Sequence, residues 1–154
     1  MKQFKGRPVV AGTCSAPALV SHGGFNTLAS FQGALQFGDL PVIGNTYKQT
    51  ECDDQNNKDL YRKPMLGKAL CLPQTIGSTT GGMILFTANV MGKCPACLLF
   101  SEHIDSLAAA GAALSAVWSE SPMPVVDCLG QEFLDTVKDG DNITVSEDGT
   151  VTVN

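Results

Sequence analysis

The strongest constraint on the fold is the alternation of short apolar runs with helical patterns from residue 67 onward. Apolar runs of four or five residues closed by proline or glycine are typical of buried strands, whereas apolar residues three and four apart indicate helices. The predicted order is strand, helix, strand, helix, strand, at residues 68–72, 83–91, 96–100, 103–119 and 124–128. Because this order favours parallel strands joined by right-handed crossovers, the sequence predicts a compact three-layer α/β domain.

Further β structure is predicted on both sides of this core. Residues 5–44 are rich in glycine, alanine and serine, and are interpreted as short strands and turns with a glycine-rich loop around His22. A short helix is predicted at residues 132–137. The strands 142–146 and 150–153 are predicted to form a hairpin, because Asp148-Gly149 between them is a strong turn signal.

The segment 45–63 differs in composition from the rest of the chain. It is polar over most of its length and is predicted to be a long exposed loop, with the charged run at residues 51–58 in solvent. No internal repeat or linker divides the sequence. We therefore predict a single domain over residues 1–154, with the polar loop at about residues 45–63 as its decoration.

Charge and composition exclude several classes of function. The net charge of −5 argues against a nucleic-acid partner and against binding to anionic membranes. The N-terminal residues lack the apolar stretch of a signal peptide, and no apolar run reaches the roughly 20 residues of a membrane helix. Free thiols are expected for the six cysteines, with Cys71 and Cys128 in apolar strand-like runs, which favours a reduced, cytoplasmic location.

The best candidate for a site is the loop of residues 77–82, Gly-Ser-Thr-Thr-Gly-Gly, between a predicted strand and a predicted helix. Backbone N–H groups at such a turn, together with the helix N-terminus, attract an anion and can stabilise a serine alkoxide. The alternative is an ordinary capped turn in which Thr79 or Thr80 is the helix N-cap. The loop lacks the Gly-Lys-Ser/Thr of a phosphate-binding loop and the full dinucleotide fingerprint.

The other residues that could perform chemistry give weaker signals. Cys94 and Cys97 have the spacing of a redox pair or of half a zinc site, but they run into a strand rather than opening a helix, and no second ligand pair follows. Neither His22 nor His103 has a recognisable catalytic neighbour. The aspartates Asp39, Asp53, Asp54 and Asp127 do not converge in the sequence, so no metal site is predicted in this chain.

The loop and the strand before it resemble a known family. Residues 66–73, Leu-Gly-Lys-Ala-Leu-Cys-Leu-Pro, followed by residues 77–82, are similar to the small subunit of the aconitase X group. In that group a Gly-Lys strand ending in Leu-Pro leads into a Gly-Ser-Ser/Thr-Thr-Gly loop. The resemblance spans nearly the whole chain. Agreement extends to residues 5–7, 9–12, 18–21, 29–33, 124–126 and 139–141.

This resemblance implies a swivelling β/β/α domain like the mobile domain of aconitase. It implies a hydro-lyase, a dehydratase, that is inactive without a larger subunit carrying an iron–sulfur cluster. Ser78 would be the catalytic base of a site shared by the two chains. The amides of Gly77, Thr79, Thr80, Gly81 and Gly82 would bind the oxyanion or the hydroxy-acid substrate.

The resemblance also implies a choice between two substrates, cis-3-hydroxy-L-proline and mevalonate 5-phosphate. The first is expected, because Arg62 and Lys63 are the only evident basic pair for a phosphate. The polar loop replaces an Asp-x-x-His-Pro-Leu pattern associated with many relatives, which leaves the substrate open. Two other classes remain: a non-catalytic binding or regulatory module, and a phosphohistidine carrier, which would need a histidine where Ser78 stands.

Overall fold

The computed structural model describes all 154 residues, which form a mixed eight-stranded sheet, a two-stranded sheet and four α-helices. The strands are β1 Lys2–Lys5, β2 Arg7–Val10, β3 Cys14–Val20, β4 Phe25–Asn26, β5 Ala69–Leu72, β6 Thr75–Ile76, β7 Cys97–Phe100, β8 Val125–Asp127, β9 Asn142–Val145 and β10 Thr150–Val153. The helices are α1 Thr27–Phe37, α2 Gly81–Val90, α3 Ser106–Trp118 and α4 Gln131–Thr136, with a 3₁₀ helix at Ile43–Tyr47.

The large sheet has the strand order β1-β10-β9-β3-β5-β7-β8-β2. Strands β3, β5, β7 and β8 are parallel, as the sequence pattern predicts, and the remaining pairings are antiparallel. Gly6 alone separates β1 from β2, although these strands lie at opposite ends of the strand order. The two edges therefore meet, and the sheet curls into a nearly closed barrel.

Both faces of the central strands are buried, which explains their continuous apolar sequences. In β5, Leu70 and Leu72 point into a core of 18 buried residues beneath α1, α2 and α3. Ala69 and Cys71 point the other way, into a core of 17 buried residues inside the curled sheet and against α4. This arrangement gives the layers of the predicted α/β domain.

The short strands predicted for residues 5–44 are present as far as Asn26, but residues Thr27–Phe37 form helix α1 instead of strands and turns. Asn26 Oδ1 accepts a hydrogen bond of 3.1 Å from Ala29 N and starts the helix. Phe31 and Ala34 are completely buried at helical spacing. Gly33 weakened the helical pattern in the sequence, but a Cβ there would lie 2.2 Å from the Tyr47 ring, so the glycine serves packing.

The segment 45–63 is only partly exposed, which corrects the prediction of a long exposed loop with residues 51–58 in solvent. Cys52 and Leu60 lie at 0% exposure in the helix-side core, and Asp54 is also buried, where it accepts a bond from Asn56 N. The backbone folds back on itself, since Cys52 N donates to Lys63 O and Arg62 N donates to Cys52 O. The polar composition of the segment gave no indication in the sequence that these positions are buried.

Cys128 also departs from the prediction. It is exposed with φ +57°, one residue beyond β8, and is not a core thiol, whereas Cys71 is buried as expected. All six cysteines are free. No helix has the length and apolar character needed to span a membrane.

Two close contacts define how the helices and the barrel are held. Gly82 in α2 faces Gly111 in α3, and a Cβ at Gly82 would lie 2.3 Å from Leu107 O. At the barrel edge, Arg7 Nη2 and Nε donate to the buried Asp127 at 2.6 and 3.0 Å. Burial opposes ionisation, but the bonds from Arg7 and from Ile104 N hold the pKa of Asp127 below its ordinary value.

We predict that Gly82→Ala lowers the free energy of unfolding by about 1–3 kcal/mol, because the added methyl group forces α2 and α3 apart. Gly81→Ala is the matched control, since its Cβ would meet only the Thr27 side chain, at 3.5 Å or more. It should change stability by less than about 0.5 kcal/mol. Urea denaturation measures both, and equal stability of the two variants would contradict the proposed helix contact.

We predict that Arg7→Leu reverses the way in which Asp127 makes the free energy of unfolding depend on pH. In the wild type this contribution is present above the ordinary aspartate pKa of about 3.9 and is lost as the pH falls through the lower folded pKa. In Arg7→Leu, Asp127 keeps the Ile104 N–H bond but loses its cationic partner, so burial raises its pKa. The loss of stability relative to the wild type is therefore greatest at pH 7 and shrinks on acidification. Denaturation at several pH values measures this. Lys5→Leu, at an exposed ion pair with Asp148, should show little change at pH 7.

Candidate functional site

The Ser78 loop is positioned by the two-stranded sheet. Strand β6 pairs in parallel with β4, which brings Gly77 against Asn26. Gly77 has φ +101°, and a Cβ there would lie 2.8 Å from Asn26 Nδ2. Only glycine fits both the backbone conformation and the space, so the Gly-Ser pair at this turn has a direct geometric reason.

The Ser78 hydroxyl is exposed and is held by its own loop. Thr80 N donates to Ser78 Oγ at 3.2 Å, and the two hydroxyl oxygens of Ser78 and Thr80 lie 2.9 Å apart. Gly81 N donates to the Ser78 carbonyl at 3.0 Å. No carboxylate or imidazole hydrogen-bonds to Ser78 in this chain. Within these residues, a Ser78 alkoxide could therefore be stabilised only by N–H and hydroxyl donors.

Three helices begin around one pocket beside this loop. The pocket has a volume of about 210 Å³, and its lining includes Thr27 of α1, Gly81 of α2 and Leu107 of α3. Helix N-termini carry partial positive charge, so their convergence favours an anion. Two of the three are already capped, by the Asn26 side chain and by the Asp105 carboxylate.

Of the three helices, only α2 has an N-terminus that no side chain caps. Thr80 is at its N-cap position, but no side chain makes a capping hydrogen bond. The N–H groups of Gly82 and Met83 have no acceptor in the chain. The capped-turn alternative for this loop therefore lacks its defining bond, and these two N–H groups are unpaired within the chain.

The predicted site residues do not all meet at the pocket. Gly77, Ser78 and Gly81 line it, together with Thr75 and Ile76 of β6. Thr79 and Thr80 are exposed loop residues outside the lining, and Thr80 acts on the Ser78 oxygen instead. Gly82 is buried where α2 packs on α3, so its lack of a side chain serves helix packing, while its N–H stays unpaired.

Sequence reasoning missed Asp105, the only charged residue in the pocket lining. Its carboxylate accepts from the N–H groups of Leu107 and Ala108 at 2.9 and 3.0 Å and from the Thr75 hydroxyl. The predicted helix began at residue 103, which placed Asp105 inside it. An aspartate just before Ser106 and an apolar periodic run is an N-cap signal that could have identified it.

The two cysteines at redox spacing are separated by the fold. Cys94 lies in a turn beside Asn89, and Cys97 is buried in β7. Burial raises the pKa of Cys94. The pKa of Cys97 is raised by a hydrogen bond with Cys14 and by burial. A redox pair needs a thiolate of lowered pKa, so this arrangement fits the structural interpretation of both residues.

The histidines and aspartates occupy separate positions. His22 Nδ1 lies 3.2 Å from Asp59 Oδ2, and His103 Nε2 lies 3.1 Å from Arg7 Nη2. The four aspartates that the sequence raised are engaged locally, Asp39 by Lys93, Asp53 by Arg62, Asp54 by Asn56 and Asp127 by Arg7. No three His, Cys, Asp or Glu side chains converge in a group that could hold a metal ion.

The pair Arg62 and Lys63 is not directed at the Ser78 pocket. Arg62 forms an ion pair with Asp53 at 3.3 Å and stacks on Tyr47 and Tyr61, and Lys63 pairs with Asp139 at 2.6 Å. No lysine or arginine lines the pocket. A strongly anionic ligand there would depend on the α2 N-terminus and on charges from outside this chain.

Comparison with known proteins adds family and fold. The family model of the aconitase X swivel domain matches residues 3–153. The phosphomevalonate dehydratase small subunit of Methanocella arvoryzae is 32% identical over 148 residues, covering 96% of this chain and 94% of that protein. The corresponding subunit of Aeropyrum pernix is 26% identical over 151 residues, covering 98% of this chain and 92% of its own length.

A solved structure agrees with the fold described above. The crystal structure of Thermococcus kodakaraensis aconitase X in its holo-form superposes with a TM-score of 0.76 at 22% identity, over 100% of this chain and 99% of that one. The three-layer swivelling β/β/α architecture expected from the sequence is thereby confirmed. With a family match over nearly its whole length, this chain belongs to the aconitase X swivel-domain family.

Proposed function

We propose that this chain is the small subunit of an aconitase X type dehydratase and supplies the base to a site completed by a larger subunit. The observation that supports this most directly is the uncapped N-terminus of α2 beside Ser78. Unpaired N–H groups, a hydroxyl held by a backbone amide and a small pocket together suit the stabilisation of an oxyanion. Relatives that match over nearly their full length are named as small subunits of such enzymes.

The proposed chemistry is the loss of water from a 3-hydroxy acid. The Ser78 alkoxide takes the proton from the carbon next to the carboxylate. The electron pair of that C–H bond forms the new double bond, and the C–O bond on the next carbon breaks. The departing hydroxyl becomes water by taking up a proton from solvent, which balances the proton that Ser78 has removed. The N–H of Thr80 and the open end of α2 stabilise the alkoxide before the transfer, which raises its population at neutral pH.

Asp105 is the second residue of the pocket whose role we propose. Asp105 brings a negative charge, but its carboxylate is occupied by two backbone N–H groups and the Thr75 hydroxyl. We infer that Asp105 is a positioning residue, because it fixes the start of α3 at the pocket wall. The free N–H groups of α2 would receive an anionic oxygen of the substrate or of Ser78.

For the substrate, we place mevalonate 5-phosphate ahead of cis-3-hydroxy-L-proline, which reverses the sequence-based preference. The curated relatives are named phosphomevalonate dehydratase small subunits, and none of those cited supports the proline derivative. The sequence-based preference for the proline derivative rests on the scarcity of basic residues that could bind a phosphate. Since Arg62 and Lys63 are engaged elsewhere, we propose that the larger subunit supplies the phosphate contacts as well as an iron–sulfur cluster.

The first test of this proposal is Ser78→Ala, assayed together with the larger subunit from the same genome. Loss of a general base should lower kcat by about 10²–10⁴-fold, with the two chains still assembling. Thr79→Ala is the matched control, because Thr79 neither lines the pocket nor bonds to Ser78, and it should lose little activity. Wild-type turnover by Ser78→Ala would remove Ser78 as the base.

The second test compares substrates for the wild-type pair of subunits. We expect kcat/KM for mevalonate 5-phosphate to exceed that for cis-3-hydroxy-L-proline by at least about 100-fold, since loss of charge-assisted phosphate bonds costs several kcal/mol. Product formation can be followed by the absorbance of the new conjugated double bond. A reversed ratio would restore the proline substrate. Inactivity of the assembled pair on both compounds would favour a non-catalytic binding module.

A further inference from the structure

The end of the molecule opposite the pocket is unusually apolar. Helices α1, α2 and α3 all begin at the pocket and run in the same direction, so their C-terminal ends lie together at the far side. We define the distal patch as the exposed apolar residues at these ends, Val42, Ile43, Val90, Met91, Val117 and Trp118. Trp118 is 70% exposed, Val117 73% and Val42 80%.

Hydrogen bonds join the three helix ends into one surface. Lys93 Nζ, just after α2, donates to Ala34 O of α1 at 3.0 Å and to Asp39 at 2.8 Å. Asn89 Nδ2, near the end of α2, donates to Ser121 O beyond α3 at 3.1 Å. These bonds hold the C-terminal ends of the three helices, with their exposed apolar residues, at one end of the molecule. Several exposed apolar residues gathered at one end of a molecule are a candidate site of interaction.

A second, independent observation lies beneath Trp118. Asn89 is 93% buried and lines a groove of about 450 Å³ together with Val90 and Trp118. Its Oδ1 atom has no hydrogen-bond partner. Buried amide oxygens are normally paired, so this acceptor is suited to a donor brought by another molecule.

The charges around the groove restrict what covers it. Glu120 is the only charged residue in its lining and forms no ion pair within the chain, and Lys93 is engaged by Asp39. A membrane surface, which is anionic, would find no cation here. A second copy of this chain in a two-fold contact would bring one Glu120 toward the other, in a protein of net charge −5. The complementary occupant is a different protein, with an apolar centre and basic residues at its rim.

We propose that the distal patch is a permanent contact with the larger subunit, separate from the contact that closes the pocket. This inference rests on the proposed function. A site shared by two chains must open to admit substrate and close to exclude water. If the pocket end were the only contact, each opening would release the small subunit. At 1.5 Å per residue the two ends of α2 are about 15 Å apart, so one large partner can contact both.

The test uses the pair of subunits and measures assembly separately from turnover. The single variants Trp118→Ser and Val90→Ser alter exposed side chains and should leave the melting temperature of the isolated chain unchanged. We expect the dissociation constant for the larger subunit, measured by calorimetry, to rise at least tenfold for Trp118→Ser. The kcat at saturating small subunit should stay at the wild-type value, because the patch is remote from Ser78. Leu28→Ser, an exposed apolar residue at the pocket end, is the comparison and should weaken assembly less.

Each other outcome has a defined meaning. Wild-type affinity in both distal variants, with an active pair, would overturn the patch while leaving the proposed function intact. Failure of the wild-type chains to assemble would instead overturn the proposed function. A concentration-dependent dimer of the isolated chain that Trp118→Ser abolishes, measured by sedimentation, would assign the patch to self-association. Binding to phosphatidylserine vesicles that the same variant abolishes would assign it to a membrane. Either result would overturn the inference.

Discussion

The close approach of α2 and α3 is the constraint on which the rest of the candidate site depends. Gly82 and Gly111 face each other with no room for a side chain on either, so the two helix backbones are nearly in contact. This contact fixes the N-terminus of α2 beside that of α3, where Asp105 forms the pocket wall. A wider helix spacing would separate the pocket wall from the Ser78 loop and leave the open N–H groups facing solvent.

The three helix N-termini at the site differ in whether a side chain caps them. Two helix N-termini are satisfied by side chains of this chain, whereas the third, that of α2, is left open next to a hydroxyl. An uncapped helix end has a stability cost that a Ser, Thr, Asn or Asp side chain at the N-cap would remove. Thr80 occupies that position, yet its side chain contacts Ser78 instead of the helix. The local cost is consistent with a site that is completed only when a ligand is bound.

The sequence predicted the central part of the fold well and the ends less well. The parallel strands β5, β7 and β8 were located within one residue at each end, because burial on both faces produces continuous apolar runs. Helix α1 was missed, because Gly33 interrupts its helical sequence pattern. The glycine is needed for the close packing of the Tyr47 ring, a contact that the residues of the helix alone do not reveal. The same limit applies to the site. Ser78 was recognisable from its loop, whereas Asp105, the convergence of three helix ends and the burial of Cys52 and Leu60 depend on contacts distant in sequence.

The single-residue link at Gly6 has a consequence for how the domain is made. Strand β1 pairs with β10, so Lys2 lies opposite Val153 and Phe4 opposite Val151. Contacts between residues this far apart in sequence give a high contact order, which slows folding. During synthesis β1 cannot pair until β10 has been made, so the barrel cannot close before then. The curled sheet therefore cannot be completed on the ribosome until almost the entire segment has emerged, and only then does its N-terminal edge cease to be an unpaired strand.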